Sequence, residues 1–358
     1  MSKPQPCLPQ MPLHIKEKIV EKVDPLERFT IRKVSKEFRE LADNAPAHFK
    51  EINFHLCTVN NRCIITLETL RGQKMVIEYR KAVKGCDVEV GKKKTFIPGK
   101  LHVEKAVLEL ATILKNPKLT MQTFHYHLAD AYGNDTGRNS REKGQFCKFF
   151  TQELQKLDHQ LHVEIVYQGS GEDPKYLMSF LPFLKSDILW KFHLELTANK
   201  LWSKVSETEQ WKMAKVLDSR FRNPSFEDIR CDLAHFKRVR LDHCKMDLED
   251  IKVFIEEIFE KKVLVHYKFH NVGFGFKEDF EEYMEEFPNA YPRDDYVKRI
   301  KDPNSDFSFL CRLTKDAFED HLDFYKDGVD VDAKDEDDEE EEEEFDDEDE
   351  EEEEDEDN

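Results

Sequence analysis

The segment that decides the architecture of the N-terminal region is residues 8–46, which read LPQMPLHIKEKIVEKVDPLERFTIRKVSKEFRELADNAP. Pro12 is placed to begin a helix, because the first turn of a helix does not need the N–H that proline lacks. Asp24 followed by Pro25 predicts the cap and the first residue of a second helix, and Ser35 predicts the cap of a third. The segment therefore predicts three short helices in succession.

The apolar residues of these helices are spaced to form faces that forty residues cannot bury by themselves. Ile15 and Ile19 lie four residues apart, and Val23 continues the same stripe. Leu26 and Phe38 add further apolar surface in the second and third helices. We therefore expect a neighbouring domain or another protein to cover part of this unit.

Beyond residue 48 the sequence alternates between strand-like and helix-like stretches. Apolar residues recur at helical spacing from Val103 to Leu114 and from Leu248 to Ile258, and Ser206 with Glu209 predicts a capping box before a further helix. This alternation predicts α/β structure with largely parallel strands. The strand candidates are residues 49–57, 75–80, 87–90, 120–128, 161–168, 188–196, 235–241, 264–270, 296–301 and 307–313.

One of these strands carries a more specific pattern. Phe236, Val239 and Leu241 have the L-x-x-L-x-L spacing of a leucine-rich repeat. Cys244 follows where such a repeat has Asn or Cys at a turn. The third apolar position recurs at uneven intervals, which predicts an irregular, leucine-rich-repeat-like solenoid of strands and helices. Its residues are Phe54, Tyr126, Ile165, Leu194, Leu241 and Phe269.

Charge divides the chain into two parts. Residues 327–358 contain 25 Asp or Glu residues and one basic residue, Lys334, so their net charge is −24. The preceding 326 residues carry 54 basic and 51 acidic side chains and are close to neutral. We expect the C-terminal segment to be a disordered acidic tail, because its charges repel and it has almost no apolar residues to bury. It could act as a solvating segment, bind a basic partner such as histones, or fold back onto a basic part of the chain.

The basic part of the chain is residues 71–105, which contain ten basic and four acidic side chains. We expect a hairpin around Lys84-Gly85, followed by a basic loop at Lys92-Lys93-Lys94. Such a patch suits nuclear import or nucleic acid, or is simply a solvated hairpin. Because the acidic tail would compete with nucleic acid for it, we do not expect a nucleic acid partner.

No pattern in the sequence is typical of an enzyme. Gly169-Ser170-Gly171 and Gly273-Phe274-Gly275 lack the further glycines of a phosphate-binding loop. His125 and His127 share a strand face, but no third residue at ligand spacing completes a metal site. We therefore expect no catalytic residue, no cofactor and no metal.

The sequence also favours an intracellular protein. No stretch approaches the roughly 18 consecutive apolar residues of a membrane-spanning helix, and the N-terminus lacks the apolar region of a signal peptide. The eight cysteines have no CxxC pair or disulfide-framework spacing, as expected of free thiols. We expect the protein in the cytoplasm, the nucleus or both, away from membranes.

The N-terminal residues resemble an F-box of the family that is expanded in nematodes. Further along the chain, three segments resemble the F-box-associated domain of the same family, known as the FTH domain. The F-box motifs are Met11-Pro12, Ile15, Ile19, Asp24-Pro25-Leu26, Arg32-Lys33-Val34-Ser35 and Phe38-Arg39. The FTH segments are 176–184 (YLMSFLPFL), 209–215 (EQWKMAK) and 236–258.

This resemblance implies a non-catalytic substrate-recognition subunit of an SCF-type cullin-RING ubiquitin ligase. In such a complex the F-box binds a Skp-type adaptor, which links it to a cullin, and the C-terminal domain binds a target protein. The corresponding parts are an F-box at 8–48, an α/β domain at 49–326 with an FTH region at about 160–315, and the tail at 327–358. By position, the residues that face the adaptor or support that face are Pro12, Ile15, Ile19, Leu26, Val34 and Phe38.

A different class of protein also fits part of the sequence. Leucine-rich domains that end in a polyacidic tail resemble acidic histone chaperones, which bind basic proteins and have no role in ubiquitin transfer. A chaperone or interaction scaffold of this kind would not need the N-terminal helical unit, so this unit distinguishes the two hypotheses.

Overall fold

The structure, a computed structural model, describes residues 11–128, 137–172, 174–196, 202–220, 226, 229, 232–242, 246–270, 277–285, 287, 289–291, 294–315 and 320–326. The acidic segment 327–358, Cys244 and Gly273-Phe274-Gly275 lie outside the described residues, so the predictions made for them stay predictions.

The described residues form a mixed α/β structure that begins with helices and continues into a large sheet. The α-helices are α1 (Leu13–Lys22), α2 (Pro25–Ile31), α3 (Lys36–Asn44), α4 (His102–Leu114), α5 (Gly137–Leu154), α6 (Pro174–Leu177), α7 (Trp202–Ser206), α8 (Glu209–Met213), α9 (Leu248–Lys261) and α10 (Lys277–Glu285). The strands are β1 (Ala47–Cys57), β2 (Arg62–Thr69), β3 (Lys74–Ala82), β4 (Gly85–Val90), β5 (Lys93–Pro98), β6 (Leu119–His127), β7 (His162–Glu172), β8 (Lys191–Leu196), β9 (Val216–Arg220), β10 (Arg238–Asp242), β11 (His266–His270), β12 (Asn289–Tyr291), β13 (Asp294–Lys301), β14 (Ser308–Lys315) and β15 (Asp320–Lys326).

The three N-terminal helices begin at the capping residues that the sequence indicates. The side chain of Asp24 accepts a hydrogen bond from the backbone N–H of Leu26, and Pro25 is the first residue of α2. The side chain of Ser35 accepts one from Phe38 at the start of α3. Pro12 is the residue before α1, which begins at Leu13. A small core holds the three helices together, and its buried residues are Val20, Phe38, Ala42 and Ala45.

The strands of the described residues form one sheet in the order β12-β13-β14-β15-β11-β10-β9-β8-β7-β6-β1-β2-β3-β4-β5. The seven neighbouring strands β11, β10, β9, β8, β7, β6 and β1 pair in parallel. The prediction of largely parallel strands is therefore right for the middle of the sheet and wrong for β12 to β15, which pair antiparallel, as β2 to β5 also do. The hairpin predicted around Lys84-Gly85 is confirmed, because β3 and β4 pair antiparallel on either side of it. Five strands were not among the sequence candidates: β2, β5, β9, β12 and β15.

Two local predictions need correction. Lys93 and Lys94 lie in β5 and not in a loop, because the chain turns back after β4 and pairs with it. The cap of α8 is Thr208, whose hydroxyl accepts the N–H of Trp211, whereas Ser206 is the last residue of α7. The N-cap therefore lies two residues later than predicted, and no capping box forms there, because the third helical residue is Trp211.

Seven neighbouring strands share one burial pattern. Each strand has a set of three buried residues, in which the second and third residues follow the first by three and five positions, and the first can lie just before the strand. The strand register aligns the second positions of neighbouring strands with each other, and likewise the third positions. The seven sets are Phe49, Ile52 and Phe54; Met121, Phe124 and Tyr126; Val163, Val166 and Gln168; Leu189, Phe192 and Leu194; Ala214, Leu217 and Ser219; Phe236, Val239 and Leu241; and Leu264, Tyr267 and Phe269.

This alignment corrects the repeat that was read from the sequence. Gln168, and not Ile165, stands beside Tyr126 and Leu194 in the third position. When Gln168 and Ser219 are counted as third positions, successive third positions from β7 to β11 are separated by 26, 25, 22 and 28 residues. These intervals lie within the period of about 20–29 residues of leucine-rich repeats. The assignment to that repeat class itself stays a prediction.

Candidate partner-binding surfaces

The three-helix unit exposes several large apolar side chains. Val34, in the turn between α2 and α3, is 62% exposed, and Ile15 in α1 is 36% exposed. Leu13, which the sequence analysis did not select, is 54% exposed. Exposed aliphatic side chains on a folded unit mark a possible interface.

The buried face of α1 differs from its apolar stripe. Lys16 and Val20 are the buried residues of α1, while Ile15 is exposed and Ile19 is only half-buried. The Lys16 ammonium is satisfied by the carboxylate of Glu37 in α3, at 2.9 Å from each oxygen. Because a paired lysine occupies the inner side of the helix, Ile15 is left facing outward.

The six residues predicted to form or support the adaptor face divide into two groups. Pro12, Ile15 and Val34 are exposed, and Ile19 is half-buried, so these four can contact a partner. Leu26 is 7% exposed and Phe38 is 2% exposed, which leaves these two only a supporting position. Leu13 could have been found from its place next to Pro12, but it lies off the stripe of Ile15 and Ile19.

Buried polar contacts hold the three-helix unit together and join it to the segments next to β1 and β6. Arg28, which is itself buried, donates to the carbonyl oxygens of Glu21 (3.0 Å), Val23 (2.9 Å) and Pro46. Asn116, which follows α4, donates from its side-chain amide to the carbonyl oxygen of Ala45 at 2.7 Å. A partner bound to the helices would therefore be held in a defined orientation to the sheet.

A second candidate surface is a row of polar side chains on the face of the sheet opposite the seven sets of buried residues. Register places one residue from each of nine neighbouring strands in this polar row, and most of them are partly exposed. The polar row consists of Asn53, His125, Tyr167, His193, Asp218, Arg240, Lys268, Asp323 and Arg312.

Ring stacking fixes three neighbouring side chains of the polar row, on β6, β7 and β8. The ring centroids of His125 and Tyr167 are 4.6 Å apart, and those of Tyr167 and His193 are 4.3 Å apart with an angle of 10° between the planes. The Nδ1 atom of His193 lies 3.1 Å from an Asp218 carboxylate oxygen. His127 flanks the stack at 5.3 Å from the Tyr167 ring. These contacts hold hydrogen-bonding atoms in fixed positions on the surface.

Burial keeps His125 and His127 neutral. It lowers the pKa of His125 to about 3, and neighbouring His127 and His193 contribute in the same direction. It likewise lowers the pKa of His127 to about 4, with contributions from His55 and His193. Burial by itself would raise the pKa of Asp218, but the hydrogen bond with His193 and the nearby positive charges lower it on balance. Near neutral pH the imidazoles of His125 and His127 are therefore uncharged, and Asp218 is a carboxylate.

Gly169 provides the space for His127. A Cβ atom at Gly169 would lie 2.1 Å from Cε1 of the His127 ring, a distance at which two atoms overlap. Gly169 is part of β7 and not of a phosphate-binding loop. The glycine that stood out in the sequence thus has a packing role.

The described residues include no group of three or more His, Cys, Asp or Glu side chains arranged to hold a metal ion. Within the same ranges, no helix has both the length and the apolar character needed to cross a membrane. Two candidate binding surfaces among the described residues are the exposed apolar side chains of the three-helix unit and the polar row.

Comparison with known proteins matches two segments of the chain to domain families. Residues 8–50 match the F-box domain family and residues 144–287 match the FTH domain family. A protein of Caenorhabditis elegans, F-box A protein 224, is 25% identical over 258 residues, which cover 69% of this chain and 62% of that protein. The match thus spans less than two thirds of the relative's length. The chain carries an F-box domain followed by an FTH domain, as its sequence resemblance predicted.

Proposed function

We propose that this protein is a non-catalytic substrate receptor of an SCF-type cullin-RING ubiquitin ligase. In this proposal the F-box binds a Skp-type adaptor, the adaptor connects it to a cullin, and the FTH-containing sheet domain binds a target protein. The observation that carries the proposal is the F-box match at residues 8–50, which coincides with the three-helix unit. The proposal places the protein where such ligases act, in the cytoplasm or nucleus.

The exposure of the three-helix unit supports this role. Its core buries Phe38 and Val20, yet Ile15, Val34 and Leu13 remain outside. Apolar side chains at the centre of an interface provide much of its binding energy when a partner excludes water from them. We propose that Pro12, Ile15, Ile19 and Val34 contact the adaptor, and that Leu26 and Phe38 support this face from within.

The polar row supports the second half of the proposal. Selective recognition of a protein target needs hydrogen-bonding groups that are held in place before the target binds. The stack of His125, Tyr167 and His193 has this property, because each ring is fixed by its neighbours. The contacts of Arg28 with Pro46 and of Asn116 with Ala45 would then hold the target at a constant position relative to the adaptor.

A binding assay with purified Skp-type adaptor and the full-length chain tests the proposal. The variant Ile15→Glu/Val34→Glu places two charges on the exposed apolar side chains and should raise Kd at least about tenfold. Val83→Glu is the matched control, because Val83 is 87% exposed in the turn between β3 and β4 and should not affect binding. Circular dichroism should show the same fold for all three chains. If the unmodified chain shows no binding at micromolar concentration, the proposal is wrong, and if the double variant binds normally, the assigned contact face is wrong.

The acidic-chaperone hypothesis keeps one observation in its favour, the 25 acidic residues of segment 327–358. It is tested by histone binding across a salt series, with the full chain and with a chain that ends at Lys326. Strong, tail-dependent histone binding without adaptor binding would support it in place of the ligase proposal.

A further inference from the structure

The acidic segment leaves the sheet at an edge that carries exposed lysines. The last strand, β15, ends at Lys326, whose backbone N–H donates to the carbonyl of Val265 at 3.0 Å. The N–H of Val265 donates to the carbonyl of Lys237, and that of Lys237 donates to the carbonyl of Lys215, each at 2.8 Å. These bonds place Lys326, Lys237 and Lys215 along one edge of the sheet.

A fourth lysine extends the row on the other side of β15. Phe309 in β14 pairs with Lys326, and Ser308 next to it pairs with Lys301 in β13. Lys301 therefore lies at the same edge, two strands from Lys326. We call Lys215, Lys237, Lys301 and Lys326 the lysine edge.

The charges of the lysine edge are available to a partner. All four residues are exposed, and none forms an ion pair within 4.0 Å in the part of the chain that the structure describes. Two other lysines close to them in sequence already have ion-pair partners: Lys212 pairs with Glu209 at 3.0 Å, and Lys262 pairs with Asp302 at 3.2 Å.

The acidic segment begins one residue after this edge. Adjacent strands lie about 4.8 Å apart, so Lys215 is roughly 14 Å from Lys326 along the edge, and Lys301 is roughly 10 Å away on the other side. An extended chain covers about 3.3 Å per residue, so about five residues reach Lys215 and three reach Lys301. The acidic residues that follow Lys326 can therefore reach all of these lysines at once.

The basic residues 71–105 are a poorer site for the same segment. Strand β5 is eleven strand spacings from β15 in the sheet order, about 53 Å along the sheet, which takes roughly 16 extended residues. Half of the acidic segment would be needed to cover that distance. Much of the positive charge there is also paired already, for example Lys81 with Glu142 at 3.0 Å and Lys94 with Asp87 at 3.5 Å.

We propose that the acidic segment 327–358 binds in cis to the lysine edge. A single exposed ion pair is weak, but a directly attached segment has a high effective concentration at this edge and can form several pairs together. In the bound state the segment neutralises the lysine edge and prevents an acidic surface of another protein from binding there. Salt releases it, because exposed charges are screened.

Carbodiimide cross-linking of the full-length chain, followed by mass spectrometry, tests the proposal. At low ionic strength, carboxylates of 327–358 should form amide bonds with Lys215, Lys237 and Lys301, to an extent that does not depend on protein concentration. At about 0.5 M NaCl, where the Debye length is about 4 Å, these links should disappear. Acetylation of the same three lysines should become about two- to fivefold faster in a chain that ends at Lys326, the range that a weak exposed ion pair can produce.

Two double variants provide the matched comparison, with Lys301 kept as the reporter amine. Lys215→Glu/Lys237→Glu should strongly reduce the cross-links to Lys301, because the reversed charges repel the acidic segment, while Lys84→Glu/Lys92→Glu makes the same charge change in the hairpin and should leave them intact. If the first variant unfolds, the corresponding Gln substitutions replace it. Cross-links chiefly to Lys84, Lys92 and Lys93, links that increase with protein concentration, or unchanged acetylation rates would each overturn the proposal. None of these readouts involves the adaptor, so the result is independent of the proposed ligase role.

Discussion

At the level of single residues, Gly169 determines the position of the His127 ring. A methyl group at Gly169 would meet Cε1 of His127 at 2.1 Å, so Gly169→Ala should force the ring out of its place beside Tyr167. We expect a loss of about 1–3 kcal/mol in the free energy of unfolding, the usual cost of overpacking. The pKa of His127 should rise from about 4 towards its ordinary value, because the ring becomes more hydrated.

Urea unfolding and NMR titration of the histidines check this prediction. Gly144→Ala is the control, because a Cβ at Gly144 in α5 meets nothing within 4 Å and alanine favours a helix. If Gly169→Ala is as stable as the unmodified chain and His127 titrates as before, the glycine has no such packing role.

The sequence could not show this role of Gly169. The spacing of Gly169 and Gly171 pointed only to a loop, whereas the reason for Gly169 is a ring on the neighbouring strand, more than forty residues earlier in the chain. The same holds for Ile15. Its spacing from Ile19 fits a buried stripe equally well, and only the Lys16–Glu37 pair across the helices shows that Ile15 faces outward.

At the level of elements, Arg28 connects the three-helix unit to the chain around it. Arg28→Ala removes the donor to three carbonyl groups, and Asn116→Ala removes the donor to Ala45. We expect each change to lower the free energy of unfolding by about 2–3 kcal/mol, because buried acceptors lose their partners. Amide hydrogen exchange should become faster in α1 to α3 and remain unchanged in β6 to β8.

Lys36→Ala is the control for these variants. The Lys36 side chain is 89% exposed, and its ion pair with Glu40 is long, at 3.8 Å. It should change neither stability nor exchange by a measurable amount. Equal acceleration of exchange in the helices and in the central strands would contradict the prediction, since it would mean that the unit is not separately anchored.

Elements with strong local signals were predictable from the sequence, and elements without them were not. Helix α9 carries a regular apolar period from Leu248 to Ile258, so its position followed from sequence, and the structure adds the N-cap Asp247. Strand β9 was missed because its buried set consists of Ala214, Leu217 and Ser219, of which only Leu217 is a bulky apolar residue. Small residues are accommodated there by the larger residues of the strands on either side, and this compensation is visible only in three dimensions.

At the level of the whole molecule, the two described ends of the chain lie at different places in the sheet order. The three-helix unit adjoins β1 and β2, whereas the chain leaves the described region from β15, seven strands away from β1. The class of fold and the two domain resemblances could be predicted, because they depend on periodicity and local motifs. Of the antiparallel pairings at the two ends, the hairpin around Lys84-Gly85 was predicted, because it is local in sequence. The pairing of β11 with β15 was not, because it joins segments more than fifty residues apart.

The buried histidines should make the stability of the whole molecule depend on pH. Burial lowers the pKa of His125 and His270 to about 3 and that of His127 to about 4, whereas each is near 6.5 in the unfolded chain. Between pH 6.5 and about pH 4 the unfolded state therefore binds more protons than the folded state. The free energy of unfolding should fall as the pH is lowered through this range, by up to about 1.4 kcal/mol per pH unit for each histidine.

Urea unfolding at several pH values between 7 and 4.5 measures this dependence, and substitution separates the histidines from the carboxylates that titrate at the lower end. His125→Gln/His127→Gln should give a shallower slope between pH 6.5 and 5, because two of the groups that take up protons on unfolding are absent. His14→Gln is the matched control, since His14 is exposed on α1 and its replacement should leave the slope unchanged. If the double variant retains the full slope, then the acid sensitivity arises elsewhere. The neutral state of His125 and His127 would then have no energetic consequence for folding.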